Sequence, residues 1–313
     1  MSELFWPGDH RAGALFGDRA FLEAMVAVEA AWAGAELDVP EVDLDVEAGG
    51  NPVIPLVAAL RAAHPDVAVH EGLTSQDVVD TAVMVMLRDA VAIVWERLGA
   101  AQGAVRRLDE SHGRVPMMGR TLTQPAQPIT FGHKLGTWNA GLVESAAELA
   151  SLTYPVQVGG PVGTTSDGRA ALAARLDLAD APSWHTNRRA ITRVGDALVA
   201  TTDACGRIAR DVLELSRTGE LTESTGGGSS SMPHKHNPVL SVLVRRAALT
   251  TPMLAATLHL AAADQVDERA DGAWHAEWDT LRLLVRRTAV AASQTAELLD
   301  GLQVHADVMR ARL

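Results

Sequence analysis

Cysteine appears once in the 313 residues, at Cys205, which excludes an intrachain disulfide and reads as a small buried apolar side chain. Tyrosine also appears once and phenylalanine four times, while alanine and leucine abound, so long helices are the expected outcome. Basic residues are outnumbered, 27 against 39 acidic, and the net charge of -12 leaves no basic stripe for a nucleic acid. An anionic substrate would therefore have to be drawn by a local basic pocket. The first residues, Met1-Ser2-Glu3-Leu4-Phe5-Trp6, lack a basic region followed by an apolar run, and no later stretch stands out as a bilayer span. A cytoplasmic protein without a membrane partner is expected. No His, Cys, Asp or Glu cluster has ligand spacing, so neither a metal nor a cofactor is expected. His275 and Glu277 are two apart on a predicted helix and point to different faces. The glycine-dense run from Gly159 to Gly168 lacks the lysine-hydroxyl ending of a phosphate loop.

What is present is helical periodicity broken by a few unusual loops. Apolar spacing predicts helices over 16–36, from Asn51 onward, over 78–108, from Phe131 onward, and over 183–217, 239–266 and 275–300. The helix over 78–108 is apolar almost all round, as in the middle of a bundle. Arg188, Arg189 and Arg193 stand near a predicted helix start, where the dipole disfavours cations; surface arginines or a bound anion would account for them. Trp274 and Trp278, four apart, read as helix packing. The stretch from Gly226 to Pro238 is the least like packing. It holds three glycines, three serines, His234, Lys235 and His236, and closes on Asn237-Pro238, which reads as a helix cap and first turn. Its physical reading is a lid that meets an anion at a helix N-terminus. A second unusual stretch, His70 to Asp77, precedes the apolar helix and offers hydroxyls at its start.

The residues Gly228-Ser229-Ser230-Ser231-Met232-Pro233-His234-Lys235-His236-Asn237 match G-S-S-x-M-P-x-K-x-N, and by them the chain resembles the fumarase/aspartase/argininosuccinate lyase superfamily. The loop with His70, Gly72, Thr74, Ser75 and Asp77 fits that superfamily's H-x-G-x-T-S-x-D. The chain departs from fumarases and adenylosuccinate lyases at Leu122, where they carry histidine, and at Val242, where they carry its glutamate partner. Further matches run through Gly50 to Val57, Thr74 to Ala82, Pro128 to Gly132, Trp184-His185-Thr186 with Arg188 or Arg189, and Trp274-His275-Ala276-Glu277-Trp278. These resemble 3-carboxy-cis,cis-muconate cycloisomerases of the bacterial type.

The resemblance implies an all-α fold: a long-helix bundle over 74–313, a small N-terminal helical domain over 1–73, and no usual C-terminal domain. It implies Ser229 as the group that exchanges the proton at carbon, with Lys235 and Asn237 as catalytic donors. His70, Thr74, Ser75, Gln124, Lys134, Thr164 and Arg269 are implied as substrate-binding, with no cofactor and no metal. The implied partner is a small tricarboxylate, and the implied assembly is a homotetramer whose sites are shared between subunits. The implied reaction is lactonisation of 3-carboxy-cis,cis-muconate to 4-carboxymuconolactone in aromatic degradation. Two other readings stand beside it: a related lyase that releases fumarate, and an inactive shortened relative with a binding role.

Overall fold

The computed structural model describes residues 4–41, 44–225, 227–228, 231–232 and 235–313. Its helices are α1 (Asp18–Ala33), α2 (Val46–Gly49), α3 (Val53–Ala63), α4 (Ser75–His112), α5 (Phe131–Ala150), α6 (Arg169–Leu176), α7 (Arg189–Arg217), α8 (Val239–Ala263), α9 (Gly272–Asp300) and α10 (Ala306–Arg310). Two small antiparallel sheets complete it: the hairpin of β1 (Pro116–Thr121) with β2 (Gln124–Thr130), and β3 (Leu221–Glu223) paired with the distant β4 (Leu302–Val304). The fold is all-α with these small sheets as its only ribbons among the described residues.

Why α4 runs for 38 residues is visible in its ends and its middle. Asp77 Oδ2 accepts from Thr74 N and closes a capping box at the start, and Val78, Val79, Ala82, Val83, Met84, Leu87, Val91, Val94 and Leu98 are all buried beyond it. Helices α4, α7 and α9 run parallel. Asp80 of α4 meets Arg188 just before α7 and Trp274 at the start of α9, while Arg107 near the end of α4 pairs with Asp300 at the end of α9. Helices α5 and α8 run the other way: Gln102 of α4 reaches the Leu142 carbonyl of α5, and Glu223 beside the end of α7 receives Leu240 N at the start of α8. Trp138, Phe131, Leu135 and Leu142 bury the inner face of α5, with Phe131 and Trp138 edge to face at 5.9 Å. Burial pushes the Cys205 thiol up to about 11, as suits an inert core residue.

Parallel and antiparallel helices give the bundle two ends. One carries the starts of α4, α7 and α9. The other carries the end of α4, both small sheets, the start of α5 and the start of α8.

Several expectations change at this level. The proline-rich stretch before α5, for which apolar spacing gave no element, is the β1–β2 hairpin, and its two-residue tip is Leu122-Thr123 with φ of 47° and 68°. That is the type I′ pattern, which favours Asn-Gly. Asn237 does not cap α8: its Nδ2 donates to the Gly228 carbonyl at 3.3 Å, and the cap is Glu223, whose two carboxylate oxygens accept from Leu240 N and Ser241 N at 2.9 Å each. A carboxylate 17 residues before Leu240 does what the local motif was read to do. Arg188 is neither at the surface nor free for an anion, because it is buried between Asp80 and Glu277. Finally, α8 is long and apolar enough to cross a bilayer by length and composition, contrary to the sequence reading. Its exposed side chains Val242, Leu249, Met253 and Leu260 recur at spacings of seven, four and seven, a single helical stripe beside faces packed on α7 and α9.

Candidate active site

At the first bundle end one carboxylate organises three loops. Asp77 is fully buried and accepts from Gly159 N and Gly160 N at 2.9 Å each, from Thr74 N at 3.0 Å, and from His185 Nε2 at 2.7 Å. Four donors on one carboxylate lock the His70–Asp77 loop, the Gly159–Gly163 loop and the Trp184-His185 segment together. Arg269, between α8 and α9, adds a fourth piece through Nη2, which donates to the Pro161 carbonyl at 3.0 Å and the Gly160 carbonyl at 3.3 Å. Its Nε is buried and unpartnered. His70, Thr74, Ser75, Thr164 and Arg269 thus belong to one set of touching loops, with Thr164 exposed on its rim. The sequence names His185 only within the Trp184-His185-Thr186 match and gives it no place in the site, although its position beside a predicted helix start was the available signal.

The contact between loops demands glycine at 160. Its φ is 63°, and a β-carbon there would lie 2.4 Å from Thr165 Oγ1 and 3.3 Å from the Gly72 carbonyl. Gly160→Ala is expected to destabilise the fold by about 1–3 kcal/mol and to loosen the three-loop junction. Urea melts together with proteolysis of the 159–168 segment would measure both.

Beneath the loops lies a buried ionic layer. Arg188 Nη1 and Nη2 reach Asp80 at 2.7 and 2.9 Å, while Nη2 and Nε reach Glu277 at 2.6 and 3.0 Å. Burial alone would lower the guanidinium, but the two carboxylates more than reverse this and its net shift is upward. Burial pushes the Glu277 carboxyl above its ordinary range, against the pull of Arg188. Trp274 Nε1 and Gln76 Nε2 complete Asp80, and Trp274 packs edge to face on Trp278 with ring centroids at 4.8 Å. His275 contacts the Asp271 and Gly50 carbonyls at 2.9 Å each, apart from Glu277.

The other described residues expected at a site stand at the opposite end. Gln124 is exposed beside the hairpin tip, where Leu122 is 95% exposed. Lys134, in the first turn of α5, lies 3.5 Å from Asp211 near the end of α7. Lys235 is exposed with no carboxylate partner among the described residues, and Asn237 bridges back to Gly227 and Gly228. Ser229 lies outside the described residues. Arg120 joins this end together by donating to buried Glu220 at 2.7 Å. Between the two ends runs α4, whose 38 residues span roughly 55 Å at 1.5 Å per residue. One chain therefore carries two half-sets of polar groups that cannot meet within it.

The family model described as Lyase matches residues 36–250. A nitrosuccinate lyase from Streptomyces davaonensis is 42% identical, covering 84% of this chain and 61% of that protein. A 3-carboxy-cis,cis-muconate cycloisomerase from Bradyrhizobium diazoefficiens is 37% identical over 93% of this chain and 69% of its own length. Among solved structures, the 3-carboxy-cis,cis-muconate lactonizing enzyme from Pseudomonas putida superposes with a TM-score of 0.90 at 30% identity, over 100% of this chain and 79% of that one. The chain thus spans about three-fifths to four-fifths of the lengths of these three relatives.

Proposed function

From the premise that the chain belongs to the Lyase family, we propose that it catalyses addition or elimination at a carbon–carbon double bond next to a carboxylate, in a site assembled from two or more copies. The observation that carries this is the split: hydroxyls, amides and cations suited to carboxylates occupy both ends of one bundle, about a helix length apart. The exposed stripe on α8 and the exposed Leu122 at a strained turn are the surfaces that a neighbouring copy would cover, and a homotetramer is the assembly we propose. Residues 1–73 act in this assembly as a small helical domain that supports the His70 loop.

Ser229 exchanges the proton at carbon. Charge then spreads into the adjacent carboxylate as an aci-acid, and Lys235 and Asn237 meet it with preset donors. His70, Thr74, Ser75, Thr164 and Arg269 from one copy, with Gln124 and Lys134 from others, receive the remaining carboxylates. The substrate we favour is 3-carboxy-cis,cis-muconate, whose own carboxylate adds across the double bond to give 4-carboxymuconolactone. The cycloisomerase relatives, at 34–37% identity, support that choice. The nitrosuccinate lyase at 42% identity favours a second reading, β-elimination from a substituted succinate.

Muconate absorbance, followed with the purified chain and with Ser229→Ala, tests the first reading. Turnover is expected from the wild type, with a loss of about 10²–10⁴-fold in the variant, the size of a general acid–base contribution. No muconate turnover together with fumarate release from nitrosuccinate would transfer the assignment to the second.

A further inference from the structure

Glu29, in the middle of α1, was not singled out by the sequence, yet it is fully buried and its Oε1 lies 2.6 Å from Nδ1 of His70. Its other oxygen, Oε2, is buried with no hydrogen-bond partner among the described residues. A carboxylate can only accept, so the proton in this contact is on Nδ1 and the nitrogen left facing outward is Nε2. That atom has no partner among the described residues, and the side chain keeps 17% of its surface exposed. His70 sits at φ 64°, a left-handed conformation that a β-carbon disfavours, four residues ahead of Thr74.

The bond is not needed to hold the loop in place. Trp32 Nε1, one turn further along α1, donates to the Glu71 carbonyl at 2.8 Å. On the other side, Arg61 of α3 donates through Nε and Nη2 to the Val69 carbonyl at 3.2 and 3.0 Å. Both backbone neighbours of His70 are thus already tethered. A buried carboxylate with one bare oxygen is a costly extra clamp. What it adds is a fixed ring plane and a negative charge behind the ring.

We propose that Glu29 is a positioning residue: it aims His70 so that Nε2–H is presented to a substrate carboxylate, and it offsets the positive charge of the ring in that state. The charged groups around the ring are Glu29 from α1, Arg61 from α3 and Glu71 beside it in the loop. The Gly72 carbonyl, two residues on, lies against Gly160, whose own carbonyl accepts from Arg269, so the loop that carries the ring belongs to that junction. This role rests on the carboxylate-binding reading above.

The test uses binding, which does not depend on turnover. Propane-1,2,3-tricarboxylate is titrated calorimetrically into the full chain and into Glu29→Gln, which keeps the side-chain shape and an acceptor for Nδ1 but removes the charge. Binding is expected to weaken about tenfold, as for a charge-assisted hydrogen bond, with the thermal midpoint unchanged. The strongly deshielded Nδ1 proton of His70 is expected to disappear from the NMR spectrum. Equal affinity in both proteins would reduce Glu29 to a clamp and overturn the inference while leaving the proposed function intact. Absence of carboxylate binding by the wild type would overturn both. If Glu29→Gln loses its cooperative melt, His70→Gln decides: wild-type affinity there removes His70, and with it the role of Glu29.

Discussion

Arg188→Met is expected to destabilise the protein by about 3–5 kcal/mol, the usual cost of removing one partner from a buried ionic cluster. Asp80 and Glu277 are 2% exposed each, and without the guanidinium they become two like charges in a dry layer that joins α4, α7 and α9. The stacking of Arg188 over Trp184, 4.6 Å from the ring centroid, is lost as well. The pH dependence follows from Glu277, whose carboxyl burial already holds above its ordinary range. In that situation the native state binds more protons than the unfolded chain just above the unfolded pKa. Stability then falls as pH rises from about 4.5, the ordinary carboxyl value, through the raised native one. Removing Arg188 takes away the partner that lowers Glu277 and enlarges this fall. Urea melts at pH 5 and pH 8 should therefore show a larger deficit at pH 8. An equal deficit at both would mean that Glu277 does not titrate within the layer and that packing accounts for the loss.

That same layer marks where sequence reading stopped. The periodicity of Val78 to Leu108 places α4 within a few residues of its true ends, because a continuous apolar surface admits little besides a helix. The His70–Asp77 stretch does open that helix, with Thr74 and Asp77 forming its capping box and Ser75 as the first helical residue. Arg188 could not be read, since its partners lie 108 and 89 residues away and nothing local distinguishes a buried arginine from a surface one. Glu223 as the cap of α8 escaped for the same reason: the local Asn237-Pro238 pair satisfied the motif, and a carboxylate outside it supplied the bonds. The β1–β2 hairpin was hidden by its chemistry, with prolines in β2 and a Leu-Thr tip where turn residues would be expected. The candidate site was legible as residue types and not as geometry. Motif matching gathers Ser75 and Lys235 into one list, while the fold sends them to opposite ends of a bundle.

Lys235→Ala is the substitution that uses that separation most directly. Lys235 is exposed and makes no ion pair among the described residues, so the fold loses nothing when it is removed, and the thermal midpoint should stay where it is. If Lys235 is a preset donor to developing carboxylate charge, kcat should fall by about 10²–10³, the size seen when one such donor is deleted. KM should change far less, because the interaction strengthens only as charge develops. Mixing then separates two geometries. Lys235→Ala and His70→Ala are each dissociated in mild denaturant, combined and allowed to reassociate. A site contained in one chain would give a mixture whose rate is the average of the two impaired proteins. A site built from opposite ends of neighbouring chains gives a different result, because some sites in the mixed assembly draw an intact His70 loop from one copy and an intact Lys235 loop from another. Activity well above either parent is the expected outcome, and a simple average would confine catalysis to a single chain in a conformation unlike this one.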